Sequence, residues 1–293
     1  MKKNKIIITG ASGSIGSKLL EELSTKYFVY AIYRGRGDKF SNKLRSNKNI
    51  QIISLNNFLR NNNSLNNIEC IFHTITNYGL DSKDLRLVKE VNEILSIKIL
   101  NRSIELGVKK FINFNTCLDS RINVYAKTKK SFVSKAKKIL KDNKICFIDL
   151  SLHNVFGPNL KSSRLIYEFI KSIKNKNHEF TLKNNYLKKD FIYISDLIEL
   201  CKVLVLHNFN YQKNYILIQV GSGKSYKLST IVNLLKLYSG SSIKIRNSIS
   251  YKRPYEKIIY RANISYLKNK LEWVPKVNLK LGLELTYKKH KQI

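Results

Sequence analysis

"KIIITGASGSIGSKLLEEL", Lys5 to Leu23, decides the fold. Three isoleucines and a threonine make a β-branched run of strand length that stops at Gly10. From Ile15 onward the apolar residues Leu19, Leu20 and Leu23 keep the spacing of one helical face. Gly10, Gly13 and Gly16 stand where strand gives way to helix. Glycines there permit a tight turn and a close backbone approach to a pyrophosphate, and a helix start offers unpaired N–H groups and a positive dipole. A glycine triplet can also be a bare structural turn, but one that opens a strand–turn–helix at residue 10 argues for a ligand. Gly10, Ser12, Gly13, Ser14, Ile15 and Gly16 are therefore the expected dinucleotide-binding residues.

The alternation continues. Strands fit "FVYAIYR", "IQIISL", "CIFHTI", "KKFINFN" and "ICFIDLSL", with helical periodicity in "VKEVNEILSIKILNRSIELG" and from about Tyr125 to Lys141. Strands alternating with helices imply a parallel sheet covered on both faces. The expectation is an α/β fold, a Rossmann-type doubly wound sheet with a smaller C-terminal lobe. Its expected domains are 1–156, with 188–222 returning to it, and a substrate lobe of 157–187 and 223–293.

The chain of 293 residues carries 54 Lys plus Arg against 20 Asp plus Glu, a net charge of +34. Such a charge can signal a polyanionic partner. The lysines are dispersed, and no basic stripe with interleaved aromatics stands out, so no specific nucleic-acid partner is expected. Cys70, Cys117, Cys146 and Cys201 have no metal-like spacing, and free thiols in a cytoplasmic protein are expected. The five histidines are dispersed, so no metal site is expected. No apolar run reaches the roughly 20 residues of a membrane span.

Cofactor choice should be written at the end of the second strand, where an acid binds the ribose 2′-hydroxyl of NAD. "IYRGRGDK" offers Arg34 and Arg36 and no acid before Asp38. Guanidinium suits a 2′-phosphate, which favours NADP(H), with NAD(H) as the alternative.

"NVYAKTKK" places Tyr125 and Lys129 at i and i+4, on one face of a helix. In a chain with 17 Tyr and this many lysines that spacing arises by chance. Thr116, nine residues upstream at the end of a strand, makes the set meaningful: a hydroxyl to hold a carbonyl oxygen, a phenol to deliver a proton, and an ammonium to lower the phenol pKa. Lys127 and Lys130 are expected to point away from this face.

In this ordered series the chain resembles the extended short-chain dehydrogenases/reductases that act on nucleotide sugars. The resemblance runs through "FHTIT", Asn92, "LSLHNVFGPN", "KKDFIYISDL", "IQVGSGKSYKLSTIV", Arg253-Pro254 and "LEWVPKVNLKLGLE". It implies that Thr74 belongs with the cofactor and Thr76 with the substrate. It also implies that Asn154, Lys189 and Arg253 contact a nucleoside-diphosphate sugar, Lys189 standing where the family often has Arg. Dehydratases of this type follow the catalytic Thr with Asp-Glu; here Cys117 and Leu118 follow. Within the family, "HTITNYG" and a short Thr-to-Tyr interval look most like the CDP-abequose-synthase-type 4-ketoreductases. The implied activity is NADPH-dependent reduction of a nucleotide-linked 4-keto-deoxyhexose for O-antigen or capsule synthesis. An NAD-dependent 4-epimerase is the alternative, and a non-catalytic dinucleotide- or nucleic-acid-binding protein on this scaffold is the alternative of another class. Dimerisation is left open.

Overall fold

A computed structural model of the chain describes residues 3–34, 40–60, 65–79, 84–158, 160, 164–209, 214–249 and 254–291. The strands are β1 Lys5–Thr9, β2 Phe28–Tyr33, β3 Ile50–Ser54, β4 Ile68–His73, β5 Lys110–Thr116 and β6 Cys146–Leu152. They continue with β7 Asn154–Phe156, β8 Glu179–Lys183, β9 Lys188–Tyr193, β10 Tyr215–Val220, β11 Ser225–Lys227 and β12 Lys244–Ser248. Contacts divide the chain into two compact units, Met1–Ser151 with Lys202–Ile218, and Leu152–Cys201 with Gln219–Ile293.

The first unit is built on a seven-stranded sheet in the order β10-β6-β5-β4-β1-β2-β3. β1 pairs in parallel with both β2 and β4, β2 with β3, and β4 with β5. Ile6, Ile7 and Ile8 are fully buried, as a central parallel strand covered on both faces requires. One face packs Phe111 flat against Phe147, ring centroids 5.2 Å apart, with Phe132 of the helix Val124–Ile139 closing over both. The strand order reverses between β1 and β4. The crevice at their carboxyl ends is where such sheets bind ligands.

The second unit contains a three-stranded sheet, β11-β9-β7, and the parallel pair β8·β12. Asp190 of β9, fully buried, accepts from the backbone N–H groups of Ser222, Gly223 and Ala262 and from the Ser222 hydroxyl, so it ties three distant stretches together. The division differs from the expected one. Residues 202–218 return to the first unit, while 188–201 stay in the second, because β9 hydrogen-bonds to β7 and β11 rather than to the larger sheet.

Among the described residues, no helix is long and apolar enough to cross a membrane.

Candidate active site

The glycine turn follows β1. Gly10 has φ +72°, a conformation in which a side chain is strained, and a Cβ there would lie 2.8 Å from the Thr74 hydroxyl. A Cβ on Gly16 would meet the Gly10 carbonyl oxygen at 2.1 Å, so only glycine lets the helix Ser14–Leu23 start this close to the turn. Gly13 is the N-cap and supplies no side-chain cap. The first N–H groups of this ten-residue helix, from Ser14, Ile15 and Gly16, have no intrahelical acceptors. Ser12 is half-buried beside them. Thr74 closes the other side, its hydroxyl donating to the Thr9 carbonyl at 2.7 Å.

Thr116 ends β5, and Tyr125 and Lys129 lie on the helix Val124–Ile139, which the Asn123 side chain caps by accepting from Ala126 N at 2.8 Å. Thr116 and Tyr125 are brought within hydrogen-bonding reach, and Lys129 follows one turn along the same helix. Loss of water pushes the half-buried Tyr125 phenol well above the usual range, helped by the neighbouring Tyr78 and Cys117, while a hydrogen bond from the Thr116 side chain pulls the other way. The expected depression of the phenol by Lys129 is therefore not what sets its state: burial dominates, and Tyr125 holds its proton. Lys129 is fully buried, and its Nζ has no hydrogen-bond partner. Burial lowers its pKa to about 8, against an opposing pull from Asp149.

That orphaned amine and the side-chain-free helix start are what a nicotinamide dinucleotide needs, one for a ribose hydroxyl and one for a pyrophosphate. The residues present fit such a cofactor.

Beneath the site lies a polar layer. Asp149 of β6 accepts from Asn113 Nδ2 (2.8 Å), Asn115 Nδ2 (3.0 Å) and the Tyr215 hydroxyl (3.0 Å). Asn115 in turn accepts from the backbone N–H of Thr116 at 2.8 Å. Lys130 does not point away as expected: its Nζ donates to the Thr116 carbonyl at 2.7 Å, while Lys127 is exposed. Its long stem carries the ammonium from the adjoining helix position to the strand end.

The loop after β4 is clamped by Asn92, which sits in a π-helical turn, Glu90–Ile94. Asn92 accepts from Asn77 N and donates to Asn77 O, both at 2.8 Å. The clamp holds Thr76, half-buried, and Tyr78, whose ring lies 5.0 Å from that of Tyr125. Arg34 is exposed at the end of β2; Arg36 and Arg253 lie outside the described residues.

In the second unit, Asn154 donates to the Asp190 carbonyl at 2.9 Å. Lys189 Nζ stands 3.7 Å from Glu256 Oε1 and 5.9 Å from the Tyr260 ring centre.

Sequence reasoning passed over Asp149, Asn115 and Tyr78, and set Lys130 aside as pointing away. An acid inside the apolar run "ICFIDLSL" is a signal in its own right, because buried carboxylates are rare unless partnered.

Two curated proteins are similar along nearly their whole lengths. CDP-abequose synthase of Salmonella muenchen is 27% identical over 96% of each chain, and that of Salmonella typhimurium 26% identical over 96% of this chain and 97% of its own. Among solved structures, UDP-glucuronic acid 4-epimerase from Bacillus cereus, in complex with UDP-glucuronic acid and NAD, superposes with a TM-score of 0.85 at 23% identity, covering 98% of this chain and 99% of that one. UDP-N-acetylglucosamine 4-epimerase from Methanobrevibacter ruminantium gives 0.82 at 21% identity, covering 100% and 99%. These structural likenesses speak to the fold. Residues 6–221 match the model of the NAD dependent epimerase/dehydratase family, and the chain belongs to that family.

Proposed function

We propose that the protein reduces the 4-keto group of a nucleoside-diphosphate-linked deoxyhexose, with NADPH as the reductant. The observation that carries this reading is Tyr125, proton-loaded beside Thr116, with Cys117 and Leu118 following where a dehydratase would need an acid and a base. The likeness to two CDP-abequose synthases supports the substrate class. A reduced nicotinamide, when bound, supplies the hydride to the carbonyl carbon.

The chain does the rest. The Thr116 hydroxyl orients the carbonyl oxygen, and Tyr125 delivers its proton to that oxygen as negative charge develops, leaving a phenolate that solvent reprotonates. The Lys129 ammonium stabilises the phenolate and holds the ribose. Thr74 and the N–H groups at Ser14, Ile15 and Gly16 cradle the dinucleotide, and Arg34 with Arg36 receives a 2′-phosphate. The family resemblance assigns Thr76, Asn154, Lys189 and Arg253 to the nucleotide sugar.

The test is to incubate the protein with 4-keto-6-deoxy and 4-keto-3,6-dideoxy nucleotide sugars and follow NADPH absorbance, with NADH in parallel. One NADPH should be consumed per sugar reduced, faster than NADH. Tyr125→Phe should cut turnover by roughly 10²–10⁴-fold with NADPH affinity nearly unchanged. Interconversion of 4-hydroxy nucleotide sugars without added reductant would instead make the protein a 4-epimerase.

A further inference from the structure

Lys129 is a fully buried ammonium with no hydrogen-bond partner from the protein, and such a group tends to give up its proton. Whatever keeps it charged must act from nearby without touching it. Phe111, Asn113 and Asn115 alternate onto one face of β5, and Phe111 meets Phe132 of the helix that carries Lys129, so both asparagines face that helix. Asp149 lies across from them on β6, 1% exposed and held by three donors.

The other charged or titratable groups around Lys129 cannot do this work. His73 on β4 is buried and held neutral between Thr9 and Ser96. Glu93 of the π-helical turn is already paired with Lys135 at 2.7 Å. Lys130 repels, and Tyr125 keeps its proton.

We propose that Asp149 is a positioning residue that supplies the buried counter-charge of Lys129, keeping the amine protonated at the pH where the enzyme works, while its Asn115 arm pins the Thr116 backbone. All three donors to Asp149 are neutral, so its negative charge is not cancelled within the cluster and is felt at the Lys129 ammonium. The inference rests on the proposed role of Lys129, but it needs only dinucleotide binding, not the identity of the sugar.

The sign follows from charge. Burial has already moved Lys129 down to about 8. Asp149→Asn keeps the size and most of the hydrogen bonding but removes the attraction, so the amine loses its proton at lower pH. Dissociation constants of NADPH and NADH, followed by nucleotide fluorescence from pH 6 to 10, should weaken on the alkaline side. In Asp149→Asn the midpoint of that weakening should move down by about 1–3 pH units. The alkaline limb of turnover, where a substrate is in hand, should move with it. Tyr215→Phe removes one hydrogen bond and no charge, and should leave the midpoint within a few tenths of a unit.

If Asp149 only pins the strands, both variants should lower thermal stability and neither should move the midpoint; that result overturns the proposal. Should Asp149→Asn fail to fold, a raised alkaline midpoint in Lys130→Met, which removes the repelling neighbour, is the expected result, and an unmoved midpoint there counts against it. Normal pH-dependent dinucleotide binding with no reduction of any 4-keto sugar would sink the assigned activity and leave this inference standing.

Discussion

The ring of Tyr78 lies 5.0 Å from that of Tyr125, with their planes tilted by 38°. Tyr78 keeps 43% of its surface exposed, a large fraction for an aromatic held by a clamped loop. The ring is thus a wall for Tyr125 rather than a piece of core. Aromatic pairs of this kind are worth about 0.5–1.5 kcal/mol, which in a barrier is roughly 2–10-fold. Tyr78→Ala should therefore slow turnover by about that factor, while Tyr78→Phe, which keeps the ring, should stay near the starting protein. Equal losses in both variants would mean that the hydroxyl, not the ring, is what matters.

Lys130 and Lys127 provide a contrast on one helix. Lys130→Met removes the donor to the Thr116 carbonyl, a charge-assisted bond of about 1.5–3 kcal/mol at most when buried; half-buried here, it should cost about 5–10-fold in turnover. Lys127→Met should cost less than twofold. Steady-state rates under saturating dinucleotide decide it, and indistinguishable variants would remove Lys130 from the site.

Gly16 tests the turn. A methyl placed 2.1 Å from the Gly10 carbonyl forces helix and turn apart. Gly16→Ala should therefore weaken nicotinamide dinucleotide binding at least tenfold and lower the melting temperature, whereas Gly240→Ala, with no neighbour within 4 Å but φ +65°, should affect stability alone. Calorimetric titration beside thermal melts separates the two outcomes.

His73 makes the fold sensitive to acid. Burial, and then the Lys129 charge, hold its pKa well below the ordinary 6.5. Below about pH 6.5 the unfolded chain binds a proton that the folded chain refuses, so stability present above that pH is lost as pH falls, by up to ~1.4 kcal/mol per pH unit. Urea midpoints from pH 8 to 5 should show the decline, and His73→Gln should flatten it. A variant with the same slope as the starting protein would place the sensitivity elsewhere.

What was legible in the sequence was local. The run Lys5–Leu23 announces strand, turn and helix because β-branching, glycine and apolar spacing all act within a few residues. Thr116, Tyr125 and Lys129 were legible because two of them share a helix face and the third ends the preceding strand. Asp149 was not, since its partners Asn113, Asn115 and Tyr215 come from two other strands, one of them 66 residues away. Nor was the reach of Lys130: helix geometry tells which way a Cβ points, but not where a four-carbon stem ends. The π-helical turn at Glu90–Ile94 hides inside an ordinary apolar period, and only the clamp from Asn92 to Asn77 reveals its use.

The return of residues 202–218 to the first unit carries a consequence for biogenesis. Lys110, 1% exposed, has its ammonium against the Val205 carbonyl at 2.5 Å, and Asp149 waits for the Tyr215 hydroxyl. A nascent chain that has emerged only through Ser151 has β6 as a bare edge, with a buried cation and a buried anion each short of a partner. The ribosome must deliver about 65 further residues, most of them belonging to the other unit, before that edge is covered. Cutting the chain after Ser151 to obtain a free-standing nucleotide-binding piece should accordingly produce a sticky fragment, whereas splicing 202–218 back on through a flexible linker should make it behave.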